Sequence, residues 1–289
     1  MKKILLTGAT GFIGRNILPI LQKEYDVCAP KRQDLNLLDF ETVRDFLHEN
    51  RFDVVIQGAN PNPVKNAQAD KPENMLEDSM RMFMNFYQMQ DCYGKLLYFG
   101  SGAEYGKSQD IVLGSETQIG ETIPKDSYGL AKLWMNEITR SSKNLYNLRI
   151  FGCYGPYDHE SKFLTHVIRC CLKKEPITIR QNCMFDYMQV NDLAKIISFI
   201  INHDMHYHDY NVCTGKPISL LDIAYQIRDE LKSESPVVVM KDGMNKEYTG
   251  SNRRLLEELP SSFLFTTIKD GIKQQIDFER GQYNEKACS

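Results

Sequence analysis

The chain has 289 residues, enough for one large domain or for two that share a core. Its formal net charge of −3 gives no indication of a nucleic acid or an anionic membrane as the main partner. No apolar run approaches the length of a membrane span, and no apolar signal region precedes the first strand. The eight cysteines lack C-x-x-C spacing, which is typical of reduced thiols rather than of disulfides or a zinc site. We therefore expect a cytoplasmic protein with no metal, no nucleic acid partner and no membrane association.

A strand, a glycine-rich turn and a helical stretch open the chain. Gly8 permits a tight turn, Gly11 lets a pyrophosphate approach the backbone, and Gly14 lets helix and strand pack closely. The helix N-terminus adds free N–H groups and a favourable dipole for phosphates. A glycine-rich turn without a ligand is the alternative, but its place between a strand and a helix favours a dinucleotide. The predicted contacts are Gly8, Thr10, Gly11, Phe12, Ile13 and Gly14.

Apolar runs alternate with helical stretches through the first half of the chain, as expected for a parallel sheet with helices on both faces. The predicted fold class is α/β, with a doubly wound, Rossmann-type parallel sheet. Ligands bind such sheets at the carboxyl ends of the strands. We predict strands near 3–7, 26–29, 53–57, 95–100 and 146–151, and helices near 12–23, 39–49, 73–91 and 127–142.

The end of the second predicted strand indicates which dinucleotide is bound. A cofactor with a free ribose 2′-hydroxyl usually meets an Asp or Glu about 20 residues beyond the glycines. Lys31 and Arg32 occupy that place here, and two cations suit a 2′-phosphate. We therefore expect NADP(H) rather than NAD, with two solvated loop charges as the alternative. Asn36 is a candidate for a hydrogen bond to the adenine edge, and the adjacent Leu37 is included in the same predicted contact.

The third predicted strand leads into Gly58, Ala59 and Asn60, where small residues let a ribose and a nicotinamide lie against the backbone. The predicted helix 73–91 that follows is apolar on almost every face, which indicates deep burial or a partner. A methionine-rich stripe is usually core. We nevertheless predict that part of this helix forms the interface of a homodimer.

Ser101, Tyr128 and Lys132 form a candidate proton-transfer set. Ser101 follows the fourth predicted strand, whereas Tyr128 and Lys132 are four residues apart and share one face of a helix. A phenol with a pKa of about 10 is a poor acid–base group at neutral pH, and a nearby ammonium lowers that pKa. The set can therefore pass a proton to or from a carbinol oxygen while hydride is exchanged with nicotinamide. Lys132 is also predicted to contact the cofactor, where it orients the nicotinamide ribose. Tyr-x-x-x-Lys alone is a common accident, but its combination with the glycine turn and a strand-end serine favours catalysis.

Together these motifs resemble the extended form of the short-chain dehydrogenase/reductase superfamily, the form that acts on nucleotide sugars. The resemblance covers nearly the whole chain and continues through 148–156, 185–194 and 210–219. We expect a dinucleotide-binding domain and a smaller C-terminal substrate domain over the strand ends. The predicted division is 1–156 plus 181–207 for the first and 157–180 plus 208–289 for the second.

Departures from the family pattern narrow the implied reaction. Related 4,6-dehydratases carry an Asp-Glu pair where this chain has Gly102 and Ala103, so dehydration is not expected. The GDP-fucose synthase type is closer, with a similar segment at 35–39 and a histidine that aligns with His166. Its epimerising cysteine corresponds to Ala103, which leaves C4 keto reduction as the implied reaction. The predicted substrate contacts are Ala103, Glu104, His166, Arg180 and Arg253, with Lys162 as a further candidate for the diphosphate. The alternative is a histidine on a helix surface for His166, and plain surface charges for Arg180, Arg253 and Lys162.

The resemblance thus implies NADPH-dependent reduction of the C4 keto group of a nucleotide-activated 6-deoxy sugar. A nucleotide-sugar 4-epimerase with tightly bound NAD is the alternative, because it oxidises and re-reduces the same carbon. A non-catalytic dinucleotide-binding partner protein is a third hypothesis, which the complete proton-transfer set disfavours.

Overall fold

The computed structural model describes residues 1–62, 68 and 70–288, and for 284–288 it describes the backbone alone. The strands are β1 (Lys3–Thr7), β2 (Asp26–Cys28), β3 (Phe52–Gln57), β4 (Tyr93–Ser101), β5 (Ile111–Gly114), β6 (Leu145–Ile150), β7 (Gly152–Tyr154), β8 (Ile177–Asn182), β9 (Met184–Phe185), β10 (Tyr187–Gln189), β11 (Asp209–Val212), β12 (Ile218–Ser219), β13 (Val237–Met244) and β14 (Tyr248–Gly250). The helices are α1 (Phe12–Leu21), α2 (Phe40–Asn50), α3 (Met75–Tyr87), α4 (Ser127–Arg140), α5 (Phe163–Lys173), α6 (Val190–Asn202), α7 (Leu220–Leu231), α8 (Arg253–Glu258) and α9 (Ile268–Cys288).

Six parallel strands form the main sheet, in the order β11-β6-β4-β3-β1-β2. Because β1 lies between β2 and β3, the direction of the connections reverses at β1 and leaves a crevice at its carboxyl end. The glycine turn follows β1 and Gly58 follows β3, so both lie at this crevice. The predicted doubly wound α/β fold is confirmed.

Successive residues of a strand point to opposite sides of the sheet, and in the main sheet both sides are buried. Ile4 and Leu6 belong to one apolar cluster, which also contains Ile17 of α1 and Ile197 of α6. Leu5 points to the other face and joins a second cluster with residues of α2 and α3. A strand buried on both faces reads as a continuous apolar run, which explains why the sequence locates these strands well.

Shorter strands and three helices form a second group of elements. One small sheet has the order β12-β9-β14-β5, while β8 pairs with β13 and β7 pairs with β10. Helices α5, α7 and α9 enclose a third apolar cluster. The predicted domain boundary at 207/208 is corrected by the structure, because β11 pairs with β6 and completes the main sheet. Leu255 of α8, which was also assigned to the second domain, packs into the first apolar cluster. The division into two domains stays a prediction.

Candidate active site

The turn between β1 and α1 is shaped so that only glycine fits at two positions. Gly8 has φ of +72°, and a Cβ added there would lie 2.6 Å from the Ala59 nitrogen. A Cβ on Gly14 would lie 2.3 Å from the Gly8 carbonyl oxygen. Gly11 caps α1 without a side-chain hydrogen bond, which leaves the helix N-terminus open to an anion. This backbone cradle fits the pyrophosphate of a dinucleotide.

A cleft of about 860 Å³ runs from this turn along the carboxyl end of the sheet. Its lining contains every residue predicted from sequence to hold the dinucleotide, apart from Lys132, which lines the adjoining part of the cleft. The structure therefore brings the glycine turn, the β2 end and the β3 end together. The lining residues among the predictions are Gly8, Thr10, Gly11, Phe12, Ile13, Gly14, Lys31, Arg32, Asn36, Leu37, Gly58, Ala59 and Asn60.

The end of this cleft that is lined by Lys31 and Arg32 also contains a carboxylate that the sequence did not indicate. Arg32 Nη1 lies 2.8 Å from Asp70 Oδ1, and Asp70 is only 2% exposed. Asn36 Oδ1 accepts a hydrogen bond from the Leu38 backbone N–H at 3.2 Å, so its amide oxygen is engaged within its own turn. Asp70 is distant from the β2 end in sequence and follows no recognisable motif. The positive charge of Arg32 is therefore already paired with Asp70 and is not fully available to a cofactor phosphate.

A second part of the cleft, about 760 Å³, contains Ser101, Tyr128 and Lys132. It shares Gly58, Ala59, Asn60 and Tyr128, among other residues, with the dinucleotide part. The two parts are therefore continuous, and the predicted proton-transfer set lies beside the predicted nicotinamide end.

Ser101 is held in place by hydrogen bonds to its own turn at the end of β4. Its Oγ accepts a hydrogen bond from the Ala103 N–H at 3.2 Å. Its backbone N–H donates to Glu104 Oε1 at 2.9 Å, which completes a capping box on the short 3-10 turn 102–105. The Ser101 side chain is therefore oriented by the backbone that follows it.

Ala103 and Glu104 do not contact the cleft, which corrects their prediction as substrate contacts. Both side chains are fully buried. Glu104 Oε2 accepts a hydrogen bond from Arg149 Nε at 2.6 Å, and Asn147 Nδ2 donates to the same oxygen at 3.1 Å. Arg149 is itself fully buried and also pairs with Asp209 at 3.0 Å. Glu104 thus stabilises the Ser101 turn from the side away from the cleft, by accepting the Ser101 N–H. Arg149 and Asn147 supply the cation and the hydrogen-bond donor that a buried carboxylate needs.

Tyr128 and Lys132 lie on one face of α4, with Lys132 Nζ 5.8 Å from the Tyr128 ring centre. Asp126 caps this helix by accepting the Gly129 N–H at 2.8 Å. Lys132 is 4% exposed, and burial lowers its pKa to about 8 against the opposing charge of Glu104. Burial raises the pKa of Tyr128, and the nearby Ser101 side chain opposes that rise. The pKa of the Tyr128 phenol is therefore raised, not lowered as the sequence predicts.

Three further predicted substrate contacts lie outside the cleft lining and are corrected. His166 is on α5, where its Nε2 lies 3.6 Å from Cys170 Sγ one turn along the helix. Arg180 is exposed on β8. Arg253 is 87% exposed and pairs with Glu257 at 3.1 Å. His166 contacts a residue of its own helix, while Arg180 and Arg253 are exposed to solvent.

Several lining residues were not predicted, and they come from segments that the sequence left without a role. Lys107 follows the Ser101 turn, and Tyr248 begins β14. Lys162, the diphosphate candidate, lines both parts of the cleft. Partial burial lowers the pKa of Lys107, and the nearby Lys162 charge lowers it further, although Asp126 acts in the opposite direction. Two like charges at one mouth of a cleft indicate a place for an anion.

The part of the chain that the structure describes contains neither a metal-ligand cluster nor a membrane-spanning helix. No group of three or more His, Cys, Asp or Glu side chains there is arranged to hold a metal ion. No helix in the same described ranges is both long enough and apolar enough to cross a membrane.

Comparison with known proteins places this geometry in a family. The model of the NAD dependent epimerase/dehydratase family matches residues 4–213. GDP-L-colitose synthase of Yersinia pseudotuberculosis is 26% identical to this chain, over 96% of this chain and 95% of that protein. The NADP-bound GDP-L-fucose synthetase of Naegleria fowleri aligns with a TM-score of 0.84 and 18% identity, over 98% of this chain and 94% of that one. An NADP-bound GDP-mannoheptose C4 reductase of Campylobacter jejuni aligns with a TM-score of 0.79 and 18% identity, over 96% and 98%.

The family match covers most of the chain, including the glycine cradle, the Ser101 turn and the Tyr128–Lys132 helix. The chain therefore belongs to the NAD dependent epimerase/dehydratase family, within the extended short-chain dehydrogenase/reductase enzymes that use NAD(P) and modify nucleotide sugars.

Proposed function

We propose that the protein reduces the C4 keto group of a nucleotide-activated 6-deoxy sugar with NADPH. The observation that carries the proposal is the position of Ser101, Tyr128 and Lys132 in one cleft that continues into the glycine cradle. The relatives support it, since two proteins of the same fold contain NADP and one of them is a C4 reductase.

In this mechanism Tyr128 is the proton donor. NADPH, when bound, supplies the hydride that the carbonyl carbon receives. Burial keeps the Tyr128 phenol protonated at neutral pH, and the Tyr128 proton is transferred to the carbonyl oxygen. Ser101 donates a hydrogen bond to the same oxygen, while its own Oγ is held in place by the Ala103 N–H. Lys132 remains largely charged below its pKa of about 8 and stabilises the phenolate that remains.

The nucleotide diphosphate of the substrate is assigned to Lys107 and Lys162. Both line the substrate part of the cleft, and Lys162 carries a charge that lowers the pKa of Lys107, after the larger effect of burial. A bound diphosphate would relieve this repulsion and satisfy both ammonium groups. These lysines replace Arg180 and Arg253 in the proposal, because neither arginine lines the cleft.

The preference for NADPH is assigned to Lys31 and Arg32 at the end of β2, which line the adenosine end of the cleft. Asp70 acts against this preference, because its buried carboxylate already pairs with Arg32. The same observation favours the second candidate, a nucleotide-sugar 4-epimerase that retains NAD. A non-catalytic dinucleotide-binding protein is the third candidate.

The deciding experiment incubates the protein with NADPH and a panel of nucleotide 4-keto-6-deoxy sugars, and follows NADPH absorbance. The proposal expects stoichiometric loss of NADPH with at least one sugar, and almost no turnover for Tyr128→Phe. An epimerase would instead release bound NAD on denaturation and would interconvert 4-hydroxy sugars with no added cofactor. Full turnover of Tyr128→Phe would contradict the mechanism, and tight NADPH binding with no turnover of any sugar would favour the non-catalytic candidate.

We also propose that α3 and α4 form the interface of a homodimer. The two helices pack against each other, and Trp134 on α4 is 51% exposed. Met80 and Met84 of α3 are half-buried and extend this apolar surface. Light scattering should give twice the chain mass, and Trp134→Glu should reduce it to the chain mass. A monomeric wild-type protein would refute this assignment.

A further inference from the structure

Tyr248 places a second phenol at the Ser101 turn. It is the first residue of β14, which pairs with β5 and β9 in the small sheet rather than with the main sheet. A Cβ added to Gly102 would lie 2.5 Å from the Tyr248 hydroxyl oxygen, so this oxygen sits directly against the residue that follows Ser101. Tyr248 also lines the substrate part of the cleft together with Ser101 and Tyr128.

The Tyr248 ring is fixed by its neighbours. Its centre lies 5.2 Å from the Phe151 ring and 5.2 Å from the Phe185 ring. Lys107 Nζ lies 5.4 Å from the same centre, on the side of the proposed diphosphate contact. A ring held by two aromatic neighbours and a cation has little freedom to turn, so the position of its hydroxyl is defined.

The hydrogen bonds of Ser101 show what this hydroxyl can do. A serine hydroxyl has one donor and two acceptor positions. The Ala103 N–H fills one acceptor position at 3.2 Å. The Tyr248 hydroxyl lies against Gly102, the residue next to Ser101, and Ser101 is near enough to both phenols to oppose the rise in the pKa of Tyr128 and of Tyr248. Burial raises the pKa of Tyr248, so this phenol is protonated and can donate. When Tyr248 donates to Ser101, both acceptor positions of the Ser101 hydroxyl are filled. The Ser101 hydroxyl can then interact with a further group only by donating its own proton.

We propose that Tyr248 is a positioning residue, which fills the second acceptor position of Ser101 and so directs the Ser101 O–H toward the substrate carbonyl oxygen. This inference rests on the proposed reductase function. The three residues of the proton-transfer set lie on β4 and α4. Tyr248 belongs to the small sheet, so the proposal gives that sheet a direct part in orienting the set. Tyr248 acts through Ser101 and does not itself transfer the proton.

A double-mutant cycle tests the proposal with the sugar that gives wild-type turnover. Tyr248→Phe retains the ring and removes the hydroxyl, and it should lower kcat about 2- to 12-fold, the range expected for a neutral hydrogen bond. In the Ser101→Ala background the same change should lower kcat less than about 2-fold, because the residue through which it acts is absent. Tyr105→Phe is the matched control, since that phenol bonds to Asn211 at 3.0 Å and lies outside the cleft lining.

Equal losses in both backgrounds, or no loss from Tyr248→Phe in the wild type, would overturn the assignment. A substrate-independent measurement covers the case in which no sugar is turned over. With tyrosine isotopically labelled at Cζ, Ser101→Ala should shift the NMR signals of Tyr128 and Tyr248 and leave that of Tyr105 in place. An unmoved Tyr248 signal refutes the proposal, whatever the reaction. Failure of Tyr128→Phe to reduce turnover would instead refute the reductase mechanism alone.

Discussion

Lys132 is needed for the proposed chemistry but should destabilise the fold. Lys132 is 4% exposed, and burial lowers its pKa from a usual value of 10.5 to about 8. A lowered pKa means that the folded protein binds this proton less tightly than the unfolded chain does. We therefore expect Lys132→Met, which retains an unbranched side chain, to abolish turnover and to stabilise the protein.

The magnitude follows from the two pKa values. The difference between 10.5 and about 8 corresponds to about 3 kcal/mol of lost stability while the group is charged. The substitution also removes contacts between the ammonium and the rings of Tyr98 and Tyr128, at 5.9 and 5.8 Å, each worth about 0.5 kcal/mol. The expected net gain is about 2 kcal/mol, or about 3 °C in Tm for a chain of this length.

The effect has a defined pH dependence. Below pH 8 the lysine is charged in both the folded and the unfolded state, so the full cost is present. Between about pH 8 and 10.5 the folded state has released the proton and the unfolded state has not, so wild-type stability rises with pH. The advantage of Lys132→Met should therefore be greatest at neutral pH and disappear toward pH 10.5.

Urea unfolding of the cofactor-free protein at a series of pH values measures this difference. Lys143→Met is the matched control, because Lys143 is exposed beyond the end of α4 and should show no comparable gain. A Lys132→Met variant that is less stable than the wild type at neutral pH, or whose advantage does not fall with rising pH, would refute the reasoning.

Three further changes test other parts of the site. Glu104→Gln should lower the free energy of unfolding by about 3 kcal/mol, measured with urea, because fully buried Arg149 then retains only one of its two carboxylate partners. Gly8→Ala should weaken NADPH binding at least about tenfold in a fluorescence titration, because φ of +72° and the close backbone at Ala59 exclude a Cβ. Lys107→Ala should raise KM for the nucleotide sugar about tenfold while the Kd for NADPH is unchanged, with exposed Lys125→Ala as the control.

Local patterns were sufficient to predict residues that the structure brings together in one part of the cleft, the part proposed to hold the dinucleotide. Gly8 and Gly14 were identified because the residues that a tight backbone turn requires follow one another in one short segment of the sequence. The main strands were located for a similar reason, since burial on both faces leaves a continuous apolar run. Tyr128 and Lys132 share a helical face through their spacing alone, and the structure places them in one cleft with Ser101.

The substrate side could not be predicted in this way. Tyr248 reaches Ser101 only because β14 pairs with β5 and β9, and this pairing joins segments more than 60 residues apart. His166 and Arg253 were predicted from resemblance to family segments, and Arg180 from the need of a diphosphate for cations. Neither argument carries information on where a side chain points. Glu104 was placed near the substrate because it follows Ser101 closely, but its turn directs the carboxylate inward to Arg149.

Glu104 explains how the protein maintains a buried lysine beside a buried phenol. Its carboxylate holds the Ser101 N–H and pairs with Arg149, and its charge also raises the pKa of Lys132 against the effect of burial. Because the same carboxylate fixes the Ser101 turn and supports the Lys132 charge, the geometry and the protonation of the site depend on one residue that never meets the substrate. Removing that charge should therefore lower the pKa of Lys132 further and move the alkaline fall of kcat to lower pH, an effect that a purely structural role for Glu104 does not produce.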